Sequence, residues 1–229
     1  MVEQGGEPPP TGREHGLDAD EALDLRAAAD PARVVGVGPH PEPWPDDPRL
    51  DPELLAAGDR RNVVDPYRYW SVRAIRADLD TRRHPFHVAV ENWVHDLNIG
   101  TVVRNANAFL AAEVHVVGNR RWNRRGAMVT DRYLTVRHHT DALALGTWAG
   151  QQGLPVVGVD LLPGSRPITV EPLPRACVLL FGQEGPGLSA GAHAICSTVL
   201  HIPQYGSTRS VNAGVASGIA MYEWVRRYA

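Results

Sequence analysis

The sequence predicts an α/β domain built on a mostly parallel sheet with helices on both faces. Three observations carry that reading. From Pro85 onward, short apolar runs recur as strand, helix, strand, the alternation that gives parallel strands joined by crossover helices. Two of these runs, Cys177-Val178-Leu179-Leu180-Phe181 and Val199-Leu200-His201-Ile202-Pro203, empty into polar loops bearing glycine: GQEGPG (Gly182 to Gly187) and QYGSTRS (Gln204 to Ser210). The last segment, VNAGVASGIAMYEWV (Val211 to Val225), carries small residues at helical spacing. Strand ends that open into such loops form a ligand crevice in an open α/β sheet. With few hydrophobic side chains in the loops, their backbone N–H and C=O groups are free for a small polar ligand with an apolar part, such as a nucleoside-containing one.

The elements follow in order. Residues 1–58 are rich in Pro, Gly, Asp and Glu, a composition that buries too little apolar surface to offset its ordering entropy. The reading is an acidic arm, partly disordered or laid along the main domain, with a short helix at Asp18 to Ala29 and Trp44 as an anchor. Residues 59–84 form a basic-aromatic segment. Seven arginines face three aspartates between residues 60 and 83, a local net charge of +4, with Tyr67, Tyr69 and Trp70 interleaved. That mixture suits RNA, through phosphate pairing and base stacking, and equally suits a solvated helix whose aromatics pack on the domain. Residues 85–229 make the α/β domain. Phe86 to Glu91 reads as its first strand. Asn98 can cap a helix whose apolar positions Ile99, Val102, Val103, Ala106 and Leu110 form one buried stripe, with Arg104 off it. Val114 to Gly118 and Pro155 to Asp160 are further strands, followed by the two runs above.

Composition excludes more than it selects. A hydrophobic content of 43% is ordinary for a globular chain, and the net charge of −3 gives no overall basic field. Every basic residue is Arg, and there is no Lys; the planar guanidinium fork suits phosphate, although compositional bias gives the same pattern. Cys177 and Cys196 sit in apolar surroundings outside any metal spacing and read as core thiols of a cytoplasmic, reducing compartment. The acidic, Pro-rich N-terminus is unlike a signal peptide, and no apolar run is long enough for a membrane. No strand is followed by GxGxxG, and no GxxxxGK[ST], HExxH or Cys/His cluster is present. His138 and His139 are neighbours on a strand-like run, so they point to opposite faces and no shared metal is expected.

What remains is Asn98 with Arg104 after it, Glu184 within a Gly-rich loop, and Ser210-Val211-Asn212 at a helix start. Three motifs in order, NIGTVVRNANAF (Asn98 to Phe109), LLFGQEGPGLS (Leu179 to Ser189) and IPQYGSTRSVNAGVASGIAMYEW (Ile202 to Trp224), resemble those of SPOUT-class RNA methyltransferases in the SpoU/TrmH ribose 2′-O-methyltransferase branch. Two positions depart from the family pattern. Gln204 stands where Met usually follows Ile-Pro, and Val211 where Leu or Met separates Ser from Asn.

The resemblance implies a fold and a chemistry. It implies a C-terminal deep trefoil knot whose loops bind S-adenosyl-L-methionine, a homodimer, and a tRNA or rRNA substrate methylated at a ribose 2′-OH, with no metal and no membrane. A base-methylating SPOUT enzyme, or an inactive RNA-binding protein, are the alternatives. The implied catalytic residues are Arg104, Asn98, Glu184, Ser210 and Asn212. The implied cofactor contacts are Val159, Asp160, Gly182, Glu184, Gly187, Ile202, Gln204, Ser210, Val211 and Asn212. RNA contacts fall to Arg104 and to Arg120, Arg121, Arg124 and Arg125 of RRWNRRG. Several roles stay open. A guanidinium is a poor base, so Arg104 either clamps phosphate and stabilises developing alkoxide or acts as base once RNA rearranges its surroundings. Glu184 is either a base or a structural carboxylate accepting the amides of its own loop. Ser210 and Asn212 are either helix caps or site residues, or both. The small residues Ala213, Ala216, Ser217 and Ala220 imply close packing in the knot, at a dimer interface, or on the sheet.

Overall fold

The structure, a computed structural model, describes residues 36–92 and 98–229. The helix expected at Asp18 to Ala29 lies outside the described residues. Of the described residues, 36–44 and 52–68 belong to one compact unit, and 45–51 with 69–229 to a second.

Among the described residues of the first unit, a short helix stands beside a buried carboxylate. Helix α1 (Pro52–Ala57) starts on proline, the residue that best tolerates a first helical position. Its Leu55 is buried, and Val37 bridges Asp59 through backbone bonds of 3.0 and 2.9 Å. Asp59 is fully buried; it accepts from Arg61 Nε at 2.8 Å and Nη2 at 2.7 Å, while Arg68 Nη1 donates to the Arg61 carbonyl at 2.6 Å. Residues on both sides of position 58 thus meet within this unit, through the Val37–Asp59 bonds, the Asp59–Arg61 pair and the Arg68–Arg61 bond. Trp44, read as an anchor, is 40% exposed.

The second unit opens with α2 (Val72–Asp80), capped by Ser71, whose hydroxyl accepts from Ala74 N at 3.2 Å. There follow β1 (Phe86–Asn92), α3 (Asn98–Ala108), β2 (Val114–Gly118), β3 (Val136–His139), α4 (Ala142–Gln151), β4 (Val156–Val159), β5 (Arg166–Pro167), β6 (Cys177–Phe181), α5 (Ala190–Ile195), β7 (Thr198–His201) and α6 (Ala213–Tyr228). The seven strands form one sheet in the order β3-β2-β1-β6-β4-β7-β5, and every pairing is parallel. Side-chain oxygens of Asp141, Ser189 and Asn212 cap α4, α5 and α6, each taking an amide the first helical turn leaves unpaired.

The sheet is covered on both faces. β1 and β6 at its centre are buried almost throughout. Alternate residues such as Val88, Val90, Leu179 and Phe181 pack with α3 and α6 in one cluster, and Ala89, Val178 and Leu180 pack with α4 and α5 in another. Trp224 closes the first cluster against Phe86, ring centroids 4.5 Å apart, and its indole N–H donates to the Arg175 carbonyl at 3.0 Å.

The small residues of α6 do not form an exposed face. Ser217 and Ala220 are buried. Asn105 Nδ2 of α3 donates to Gly214 O at 2.9 Å and to Ser217 Oγ at 3.0 Å, fixing the two helices in close contact. The outward stripe of α6 is made instead of Val215, Ile219 and Tyr222, which are 53%, 39% and 58% exposed.

Candidate active site

The two glycine-bearing loops do not follow adjacent strands, since β4 lies between β6 and β7. Three strand ends therefore open on one edge. Together they bound a cavity of about 480 Å³, of the size that small-molecule sites occupy. Val159, Asp160, Gly182, Glu184, Gly187, Ile202, Gln204, Ser210, Val211 and Asn212 all line it. Arg209 also lines the cavity and was not singled out in the sequence; its only signal was an arginine inside a Gly/Ser-rich loop. Ala213 and Ala216 bring the first turn of α6 against the cavity, where a larger side chain would intrude.

The loop after β6 is shaped by residues outside it. Gln183 and Gly187 exchange N–H···O bonds of 3.0 Å each, closing the turn on itself. Gly187 has φ of +73°, a conformation other residues rarely adopt, and a β-carbon there would collide with the Asp160 carboxylate. Asp160 accepts from Leu188 N at 2.8 Å and from Leu161 N at 2.7 Å, tying the end of β4 to the return of the loop. Glu91, fully buried at the end of β1, accepts from Ser189 N at 2.8 Å and Ser189 Oγ at 2.7 Å. The structural carboxylates of this loop are thus Asp160 and Glu91. Sequence reasoning left Glu184 as either a base or the structural carboxylate of this loop and read Glu91 only as part of a strand, because a carboxylate's partners across the sheet leave no trace in its local sequence.

Glu184 points elsewhere. One carboxylate oxygen accepts from Asn98 Nδ2, and the other from Asn212 Nδ2 at 3.4 Å, while Asn212 Nδ2 also donates to Asn98 Oδ1 at 3.0 Å. Residues far apart in the chain, one from each motif, close into a triangle at the cavity rim. Asn212 alone caps α6, with Oδ1 accepting from Val215 N at 3.2 Å; Ser210 lines the cavity and does not cap. Asn98 is the first residue of α3, and Arg104 lies about 9 Å further along that helix at its regular rise.

Arg104 is exposed, and it does not line the cavity. Its neighbours on α3 locate it. Gly100, one turn before it, lies against the backbone of Gly126 and Ala127; Thr101 lies against Gly214 of α6. Helical side chains lean toward the N-terminus, so Arg104 stands above the turn of α3 that packs between the arginine loop and the start of α6.

That loop follows β2 on the same sheet edge. Asn92 Nδ2 of β1 pins it by donating to the carbonyls of Asn119 at 2.6 Å and Arg121 at 2.8 Å. Arg120, Arg121, Arg124 and Arg125 are all exposed; Arg124 pairs with Asp131 at 3.4 Å and lies over the Trp122 ring. The basic segment before β1 differs. Arg76 donates to Thr135 at 2.5 Å, Arg82 pairs with Asp78 at 2.9 Å, and Arg83 donates to the carbonyls of Ala111 at 3.1 Å and Tyr133 at 2.6 Å. Arg76 and Arg83 thus brace the domain, whereas the four arginines of the loop after β2 are all exposed.

Comparison with known proteins agrees with this geometry. Residues 85–222 match the model of the SpoU rRNA Methylase family. A protein of Mycolicibacterium vanbaalenii, named as an uncharacterized tRNA/rRNA methyltransferase, is 31% identical over 228 residues, which cover 93% of this chain and 68% of that one. The SpoU methyltransferase AviRb of Streptomyces viridochromogenes, solved with AdoMet, superposes with a TM-score of 0.58 at 25% identity over 66% of this chain and 60% of its own. A structure concerned with 2-OH methylation of C/U34 on tRNA gives a TM-score of 0.55 at 26% identity, over 63% of this chain and 96% of that one. With its parallel sheet, its three motifs gathered on one edge and a family match spanning the domain, the chain belongs to the SpoU rRNA methylase family.

Proposed function

We propose that this SpoU-family RNA methyltransferase transfers the methyl group of S-adenosylmethionine to a ribose 2′-hydroxyl of tRNA or rRNA, holding the cofactor in the cavity at the ends of β4, β6 and β7. The observation that carries the reading is the Asn98–Glu184–Asn212 triangle on the rim of that cavity, with Arg104 exposed on the same helix as Asn98. Likeness to a structure concerned with 2-OH methylation of tRNA supports the choice of ribose over base.

The residues fit the cofactor. Gly182 and Gly187 bring bare backbone to the cavity wall. Gln204 Oε1 is a buried acceptor with no hydrogen-bond partner among the described residues, and an amino group of a ligand in this cavity would satisfy it. Backbone groups of Gly182, Ile202 and Val211, which line the cavity, would hold the adenine and ribose. When bound, S-adenosylmethionine supplies a sulfonium methyl to an attacking oxygen.

The chain's own part is placement and charge. A ribose hydroxyl must approach in line and lose its proton as it attacks. Both oxygens of Glu184 already accept amide N–H groups, so its role is to fix Asn98 and Asn212 at the rim. Arg104 clamps an RNA phosphate and stabilises the developing alkoxide, and the proton leaves to phosphate or water. Arg120, Arg121, Arg124 and Arg125 hold phosphates beyond it. The test compares total tRNA and rRNA from cells with and without the gene, by nucleoside mass spectrometry, beside calorimetry of the purified chain with S-adenosylmethionine. A missing 2′-O-methylnucleoside is the expected result; a missing base-methylated nucleoside, or no cofactor binding at millimolar concentration, sinks the reading.

The same reading includes a homodimer. Val211, Val215, Ile219 and Tyr222 recur every three or four residues as an exposed stripe at the start and outer face of α6, a patch a second copy would cover by two-fold pairing. Sedimentation equilibrium is expected to give twice the chain mass of 25.0 kDa. A monomer at micromolar concentration would refute it.

A further inference from the structure

Three neighbouring strands send a histidine to the face that α4 covers. His87 Nδ1 of β1 lies 3.1 Å from His115 Nε2 of β2, and His115 Nδ1 lies 2.9 Å from His139 Nε2 of β3. The Trp148 indole covers the middle ring, centroids 4.2 Å apart. His115 is fully buried, whereas His87 and His139 keep some exposure. Glu113, two residues before His115 and so on the same side of the chain, brings Oε2 to 4.0 Å from His115 Nε2. His87 Nδ1, His115 Nε2 and a Glu113 carboxylate oxygen all lie within 4.8 Å of one another. None of these residues lines the cavity at the strand ends.

We propose that His87, His115 and Glu113 form a zinc(II) site, with a fourth position left to water.

The geometry and the second sphere both support it. Tetrahedral zinc with Zn–N of about 2.0–2.1 Å sets neighbouring ligand atoms about 3.3 Å apart. The nitrogen pair stands at 3.1 Å, and a small rotation of the half-buried Glu113 side chain closes the longer edge. His115 is buried between the two other rings and under Trp148, and a neutral imidazole offers the lone pair that a metal takes. When His115 Nδ1–H donates to His139 Nε2, the Nε2 lone pair faces His87 and Glu113, and His139 fixes the tautomer as an outer-sphere partner does in metal sites. Without metal, a proton on His87 Nδ1 fills the same gap. Arg137 also pairs with Glu113, Nε–Oε2 2.5 Å and Nη2–Oε1 2.8 Å; a carboxylate has lone pairs for both, but the nearby cation competes with a metal for it and weakens binding. Two imidazoles and a carboxylate suit zinc over calcium or magnesium.

The sequence hid this cluster. His138 and His139 do point apart, as their alternation predicts, with His138 reaching the Gly118 carbonyl at 2.7 Å. The partners of His139 lie on adjacent strands, and no spacing rule joins residues 87 and 115.

The test is independent of the methyl-transfer reading. The full chain, freed of metal, is titrated with zinc chloride against a chromophoric chelator, and its thermal midpoint is measured with and without zinc. The expected result is one zinc per chain at micromolar affinity, a higher midpoint with zinc, and at least a tenfold loss of affinity in both His87→Gln and Glu113→Gln. His193→Gln, at an exposed site on α5, leaves affinity unchanged. If His87→Gln does not fold, Glu113→Gln, just before β2 and partly exposed, decides. No zinc bound below about 100 μM, or affinity unchanged in the folded variants, overturns the proposal.

Discussion

Arg104→Ala abolishes methyl transfer and leaves cofactor affinity unchanged. Arg104 is exposed on α3, off the buried stripe of Ile99, Val102, Val103 and Ala106, so removing its side chain opens no core cavity. It does not line the cavity, so the cofactor loses no contact. What disappears is an exposed planar cation on the helix that carries Asn98, which the proposed mechanism uses only once RNA is bound. Loss of one electrostatic contact made in the transition state costs on the order of 3 kcal/mol, at least about a hundredfold in rate. Arg104→Lys rescues little, because an ammonium cannot reproduce the two-pronged fork. Single-turnover methylation of the mapped RNA at saturating cofactor decides the matter. A variant keeping more than about a tenth of the wild-type rate would return Arg104 to the status of a surface residue.

Much of this framework was legible beforehand. Val114–Gly118 and Cys177–Phe181 match their expected strands residue for residue, since both are short apolar runs ended by glycine. β3 (Val136–His139) was legible only as a strand-like run at His138 and His139, because it is a short edge strand of Val, Arg and two His. α4 escaped because Ala and Gly dilute its amphipathic pattern. The ten positions expected to touch the cofactor line one cavity, because the motifs that carry them converge on one edge of the sheet. Strand order, by contrast, has no local signature, so β4 between β6 and β7, and Asp160 as the tie between them, required the structure. Threading of the C-terminal segment leaves no local mark either, and enters only through the family resemblance. The histidine ladder and the buried Asp59–Arg61 pair show the same limit: pairings across strands and loops are set by register, which single-residue patterns do not carry.

Glycine positions give the second large effect, because the loop after β6 is built on one backbone lying directly on another. Gly182 is fully buried, and a β-carbon there would fall inside the backbone of Gly187 and Leu188. No flexible side chain can yield; the loop itself must move. The Gln183–Gly187 bond pair and the Leu188–Asp160 bond lie immediately beside the collision, so Gly182→Ala breaks them and carries Glu184 away from Asn98 and Asn212. The sheet beneath keeps its core, and overpacking of this kind costs about 1–3 kcal/mol of stability, so the variant still folds. Cofactor affinity is expected to fall by at least about thirtyfold, or ~2 kcal/mol, because several backbone contacts shift together. Gly185→Ala is the graded comparison. Its φ of +92° makes alanine strained, yet nothing lies near the added carbon, so the cost is about 1–2 kcal/mol of local strain with a smaller loss of affinity. Gly206→Ala meets open space at an ordinary φ and leaves binding unchanged. Calorimetric titration of S-adenosylmethionine into the three variants, with thermal unfolding as the control for folding, reads the series. Wild-type affinity in folded Gly182→Ala would show that the cofactor does not rest on this loop, and the cavity would lose its assignment.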